Sequence, residues 1–175
     1  MPTWNSRGLR GSSFEELINH TNNLYQKQNL AIIQKIPTPI TPVEISGGRI
    51  TLAYFEAKST IDYIGAVQGI PICFDAKETS LPYLPLKNIH AHQIEFMQNF
   101  RQQKGASFIL VNFKKHDAIF LMPIEDLARY HKKSLSGGRK SIPIDAFDPT
   151  YKVPNQNGFP VHYLIAVNEY LKKVL

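Results

Sequence analysis

The stretch PICFDAKET, residues 71–79, decides the fold. Together with the preceding Ile70 it alternates: Ile70, Ile72, Phe74 and Ala76 fall on one side of an extended chain, and Pro71, Cys73, Asp75 and Lys77 on the other. The first face is that of a strand lying on a core. The second sets a carboxylate and an ammonium about 7 Å apart along the strand. Such a pair is either an edge-strand surface contact or a reactive couple.

Elements of both periods lie on either side of this strand. Upstream, LAIIQKI (30–36) reads as a short strand, and a second runs from about Thr60 to Ile64 and carries Asp62. Between them Pro37, Pro39 and Pro42 resist both helix interior and central strand, and Gly47-Gly48 suits a hairpin tip, so residues 37–58 form an extended stalk outside the core. Phe14, Leu17, Ile18, Thr21, Leu24 and Tyr25 recur at helical spacing behind a Ser12 or Ser13 cap. Residues 1–11 read as a polar mobile arm with Trp4, Arg7 and Arg10.

Downstream, Ile89, Gln93, Phe96, Met97 and Phe100 form the inward stripe of a helix that Gly105 ends. ASFILVNF and DAIFLMPI read as a hairpin across KKHD, followed by a short helix EDLARYHKK, a glycine-containing basic loop SLSGGRKS, and a C-terminal helix around HYLIAVNEYLKKVL. Strands alternating with helices predict one α/β domain over residues 1–175.

Composition narrows the function. The net charge of +6 and pI near 9.4 point to a polyanionic partner, nucleic acid before an anionic membrane surface. The membrane is disfavoured further because no helix pairs an apolar face with a Lys/Arg-rich one. The single Cys73 excludes an internal disulfide and a multi-cysteine zinc cluster. With no apolar leader or bilayer-length run, a cytoplasmic protein is expected.

Phosphodiester hydrolysis needs a hard divalent cation held by carboxylates and carbonyls, and a positioned water beside an ammonium. Asp62, thirteen residues, then Asp75-x-Lys77 supplies those parts if the two strands pair; otherwise Asp62 is a turn residue and Asp75–Lys77 a surface pair. Glu15, in the first helical turn, is a third ligand or, with Ser12, half of a capping box. Gln93 interrupts an apolar stripe, so its amide needs a buried partner: Lys77, a water, a phosphate or the backbone. Between Arg101 and Lys140 nine Lys or Arg face three acids, which makes this half locally basic; Arg139 and Lys140 are either phosphate contacts or a solvated loop. His90 and His92, at i and i+2 of a helix, point apart, which argues against a metal pair. Cys73 has no base at recognisable spacing and reads as packing.

RGSSFEELINHTN, PTP, STIDYIG, FDAKET, HAHQIEFM and GRKSIP occur here in the order found in the RecU family of Holliday junction resolvases, which this chain resembles from Arg10 to near its C-terminus. The resemblance implies a restriction-endonuclease-like core, a mixed central sheet flanked by helices with a protruding proline-rich stalk hairpin. It implies a Mg²⁺-dependent endonuclease, Mn²⁺ substituting, that acts as a homodimer and resolves four-way DNA junctions by paired symmetrical nicks. Recombinase or branch-migration proteins are the further partners it suggests. On this likeness Asp62, Asp75, the Ala76 carbonyl and Glu15 hold the metal, Lys77 orients the water, and Gln93 positions Lys77 or that water. Arg7, Arg10, Arg49, Arg139 and Lys140 meet DNA. Three features depart from the family: Asp75 stands where Glu is more frequent, Ile61 precedes Asp62 where many nucleases of the superfamily have Pro, and the stalk is shorter and less basic. The competing readings are a restriction-like nuclease on duplex or flap DNA and a non-catalytic DNA-binding recombination modulator.

Overall fold

A computed structural model describes residues 13–37, 39–55 and 60–174. Strand β5, Ile70–Thr79, is the longest and runs through the middle of the sheet. On one side it pairs antiparallel with β4 (Tyr63–Val67), which pairs in turn with β1 (Ile32–Lys35) at the edge. On the other it pairs in parallel with β7 (Ala106–Phe113), which forms an antiparallel hairpin with β8 (Ala118–Pro123). A two-residue β10 (Lys152–Val153) closes the far edge, so the six-stranded sheet is mixed, with one parallel junction at β5–β7. That junction requires a crossover, and helix α2 (Ala91–Gln102) supplies it.

Because side chains alternate, the sheet has two buried faces and two cores. Ile72 and Phe74 join α1 (Phe14–Lys27) and α4 (Tyr163–Val174); Cys73 joins α2 and α3 (Ile124–Leu135). Phe74 is fully buried and stacked between Tyr63, at 4.7 Å, and Phe108, at 5.0 Å. Aromatic pairs of this geometry add about 0.5–1.5 kcal/mol each beyond burial. Phe113 is buried, and Phe96, Phe100 and Phe120 pack partly buried beside it, so these rings are core and not base-stacking platforms. Helices on both sides of a mixed sheet are the architecture that the family likeness implied.

The stalk is a separate antiparallel hairpin, β2 (Ile40–Ser46) and β3 (Arg49–Phe55). Gly47 and Gly48 turn it with φ of +57° and +74°, the left-handed values a tight hairpin turn needs and side chains disfavour. Among the described residues its strands pair only with each other. Val43, Ile45, Ile50, Leu52 and Tyr54 are all about half exposed or more. A short pair not seen in the sequence, β6 (Tyr83–Pro85) with β9 (Ser141–Pro143), ties the segment before α2 to the basic loop.

Two expectations need correction. The helix cap is Ser13, in a reciprocal capping box with Glu16 and not Glu15. The strand expected from Thr60 begins only at Tyr63, so Asp62 precedes the ladder and does not sit within it.

Candidate active site

The late start of β4 shapes the site. Its register ends at Tyr63 opposite Phe74, so beyond Phe74 that edge of β5 has no partner strand among the described residues. The next outward amide, Ala76 N–H, donates instead to Asp62 Oδ2 at 2.9 Å. N–H and C=O of one residue leave an extended strand on the same side, which turns the Ala76 carbonyl toward the same opening. Asp62 is held in turn by Ile36, whose N–H donates to its carbonyl at 2.8 Å.

Asp75 is 1% exposed and lies within hydrogen-bonding reach of Asp62. The Lys77 ammonium forms an ion pair with its Oδ2, and Gln93 Nε2 donates to its Oδ1 at 3.1 Å. Gln93 is fixed from behind, because its Oε1 accepts from His90 N–H at 3.1 Å. The structure thus brings Asp62, Asp75, Lys77 and Gln93 together at one spot. Burial pushes the Asp75 carboxyl up to about 7, and Asp62 adds to this while Lys77 opposes it. A carboxyl raised by desolvation beside a like charge favours a cation.

Glu15 is placed differently. It reaches across from α1 to form an ion pair with Lys35 at the end of β1. Lys35, opposite Tyr63 in the ladder, was missed in the sequence, where a helix–strand pair twenty residues apart has no signature. Tyr63, fully buried, links the two sides: its hydroxyl donates to Asn19 Oδ1 at 3.0 Å and lies 3.5 Å from the Glu15 carbonyl oxygen. Burial, then Glu15, Asp62 and Asp75, hold its phenol protonated far above the ordinary range.

Among the described residues no group of three or more His, Cys, Asp or Glu is placed to hold a metal ion, and Glu15 is turned to Lys35. The donor set nevertheless suits one hard cation. Asp75 Oδ2 is buried and ion-paired with the Lys77 ammonium, next to a second carboxylate and an open carbonyl edge. Oxygen donors of this kind fit Mg²⁺ or Mn²⁺ and not a thiolate metal.

His90 and His92 do not diverge: their rings stack at 5.4 Å. His90 caps α2 and is not part of it, so helical spacing does not apply to the pair. Burial pushes the Cys73 thiol up to about 12, as expected of a packing residue. Arg139 and Lys140 lie on the exposed loop between α3 and β9, Arg139 Nε bonded to Ser141 Oγ and the Lys140 carbonyl accepting from Leu86 N–H. Arg49 lies at the stalk tip, exposed. Arg7 and Arg10 lie outside the described residues.

A family model described as "RecU: Recombination protein U" matches residues 9–169. The chain is 41% identical over 169 residues to the Holliday junction resolvase RecU of Streptococcus agalactiae, covering 93% of this chain and 84% of that one. It is 40% identical over the same length to that of Staphylococcus aureus, covering 81% of it. Among solved structures it is similar to Hjc, a Holliday junction resolvase of Archaeoglobus fulgidus, with TM-score 0.42 and 13% identity over 87% of this chain and 98% of that one. A match over nearly the whole chain, with acid, acid-x-lysine and glutamine converging at one sheet opening, places this protein in the RecU family.

Proposed function

We propose that this protein is a Holliday junction resolvase, an endonuclease that cuts four-way DNA junctions in recombination and repair with a divalent cation, Mg²⁺ or in its place Mn²⁺. The observation that carries the reading is the buried Asp75, held at once by Lys77 and Gln93 and adjoined by Asp62, where β4 and β5 part.

Asp62, Asp75 and the Ala76 carbonyl would hold the cation, whose charge offsets the negative charge growing on the phosphate oxygens. Lys77 is restrained by its ion pair and largely buried, so its ammonium orients water toward the phosphate without searching rotamers. Gln93 locks the Asp75 carboxylate in one rotamer, and its own bond to His90 N–H transmits the rigidity of α2. Glu15, anchored by Lys35, braces the site from α1. The break leaves a 5′-phosphate. Arg139, Lys140, Arg49, Arg7 and Arg10 contact phosphates, a sequence-independent term.

A homodimer gives one such site to each of two opposed strands of a two-fold junction. The half-exposed apolar residues of the stalk support both a contact between copies and a wedge into the junction centre.

The test is cleavage of a synthetic four-way junction beside a linear duplex of matched sequence, with and without Mg²⁺, using wild type, Asp62→Asn and Lys77→Ala. Symmetrical paired nicks that need Mg²⁺ and vanish in both variants are expected. Equal cutting of the duplex, or metal-independent binding without scission, would overturn the proposal.

A further inference from the structure

A groove runs away from the site along the seam between α1 and the edge strand β1. Its first part, about 410 Å³, is lined by Asn19, Asn23, Gln26, Gln34 and Lys35. A second part, about 450 Å³, shares Gln26 and Ile32 with the first and continues to Asn29 and Gln68. Gln68 closes the far end by donating to the Asn29 and Leu30 carbonyls at 3.0 and 3.2 Å. The near end is the Lys35–Glu15 pair, one ladder position from Asp62.

The lining is largely uncharged. Among the described residues the lining of neither part includes a carboxylate; Lys35 is its one charged side chain, and Glu15 pairs with it at the near end. The remaining polar groups are amides. An amide donates to a phosphate oxygen and accepts from a hydroxyl, but it neither repels a polyanion nor attracts one from a distance. A basic partner would need acids here, and an acidic peptide more than one cation. Ile32, 66% exposed on the floor where the parts meet, offers apolar surface for sugars to cover. Fourteen helical residues span about 21 Å, the length of about six nucleotides of one strand.

We propose that this seam holds the sugar–phosphate backbone of the junction strand that continues from the cut phosphate, through neutral amide contacts. The inference rests on the reading of this chain as a junction nuclease. The basic residues 101–140 capture DNA by charge, and the α1–β1 seam fixes the register of one strand after capture.

The test measures affinity for a four-way junction in Ca²⁺, which holds back cutting, across a salt series. Asn23→Ala with Gln26→Ala removes two exposed side chains, and an unchanged melting temperature shows that the fold is kept. Two neutral hydrogen bonds predict an affinity loss of about five- to a hundredfold with an unchanged salt slope, whereas Lys35→Ala should lower the slope by about one. Methylphosphonates at the six positions beyond the cut should weaken wild type and add little to the loss in the double variant. Affinity of the double variant within twofold of wild type, or strictly additive methylphosphonate effects, would overturn the inference while leaving the nuclease reading intact. Altered self-association with unchanged junction affinity would assign the seam to a protein partner and equally overturn it. Wild type that neither binds nor cuts the junction would bring down both.

Discussion

Asp75→Asn should make the metal-free protein more resistant to unfolding as pH rises, although it abolishes cutting. In the folded chain burial holds the Asp75 carboxyl near 7, against 3.8 when unfolded. The folded state therefore keeps a proton that the unfolded state has already released. For a carboxyl raised in this way, the stability it contributes is fully present below about pH 4 and declines as pH rises through about 7. Between pH 5 and 7.5 the linkage relation gives a loss of about 2–3 kcal/mol in wild type that Asn, which does not titrate, escapes. For a chain of this length that corresponds to about 5–10 °C in Tm. The assay is thermal unfolding of both proteins in EDTA from pH 5 to 8, read as the difference between them so that titrating groups away from Asp62 and Lys77 cancel. Mg²⁺ requires the ionised carboxylate, so its stabilisation of wild type should be greater at pH 8 than at pH 6 and absent in the variant. A wild-type Tm that does not fall relative to Asp75→Asn across this range would refute the claim that burial governs the site.

Other outcomes follow from the same geometry. Gln93→Leu removes the donor to Asp75 Oδ1 with little change of volume and should lower kcat about tenfold or more with KM little changed, measured by single-turnover junction cutting. Phe74→Ala opens a hole between two stacked rings in the larger core and should cost about 3–5 kcal/mol in urea unfolding. Ile45→Ser with Leu52→Ser should leave Tm within about 2 °C, since both side chains are half exposed or more, yet reduce preference for junction over duplex in competition binding. Gly65→Ala drives a Cβ into the Ile32 carbonyl and should separate β1 from β4, lowering Tm and junction affinity together.

Much of this site is legible in the sequence because it obeys short periods. The two-residue alternation of Ile72, Phe74 and Ala76 against Cys73, Asp75 and Lys77 needs only local chain geometry, and the structure places Ile72, Phe74 and Ala76 with one core, Cys73 in the other, and Asp75 ion-paired with Lys77. Gln93 betrays itself as a polar residue in an apolar helical stripe. Lys35 has no such signal, because its pairing with Glu15 depends on how α1 lies over the sheet edge. Stacking of His90 on His92 escapes a periodic argument, since the helix starts between them. The strands β6, β9 and β10, two or three residues each and beside prolines or turns, are too short for any period to show. The amide-lined seam is invisible in a linear reading for another reason: its residues come from a helix, a strand and a turn, each of which presents an ordinary polar surface.

Asp62 has two employments, and they bear on how its variants should be interpreted. Besides its place beside Asp75, its carboxylate terminates the β4–β5 ladder by receiving the Ala76 amide. Alanine at this position would delete a charge and also leave a main-chain donor unsatisfied at the lip of the cleft, so an inactive Asp62→Ala enzyme could be a deformed one. Asparagine retains an oxygen for that amide and removes only the charge, which makes it the substitution whose silence speaks for chemistry alone.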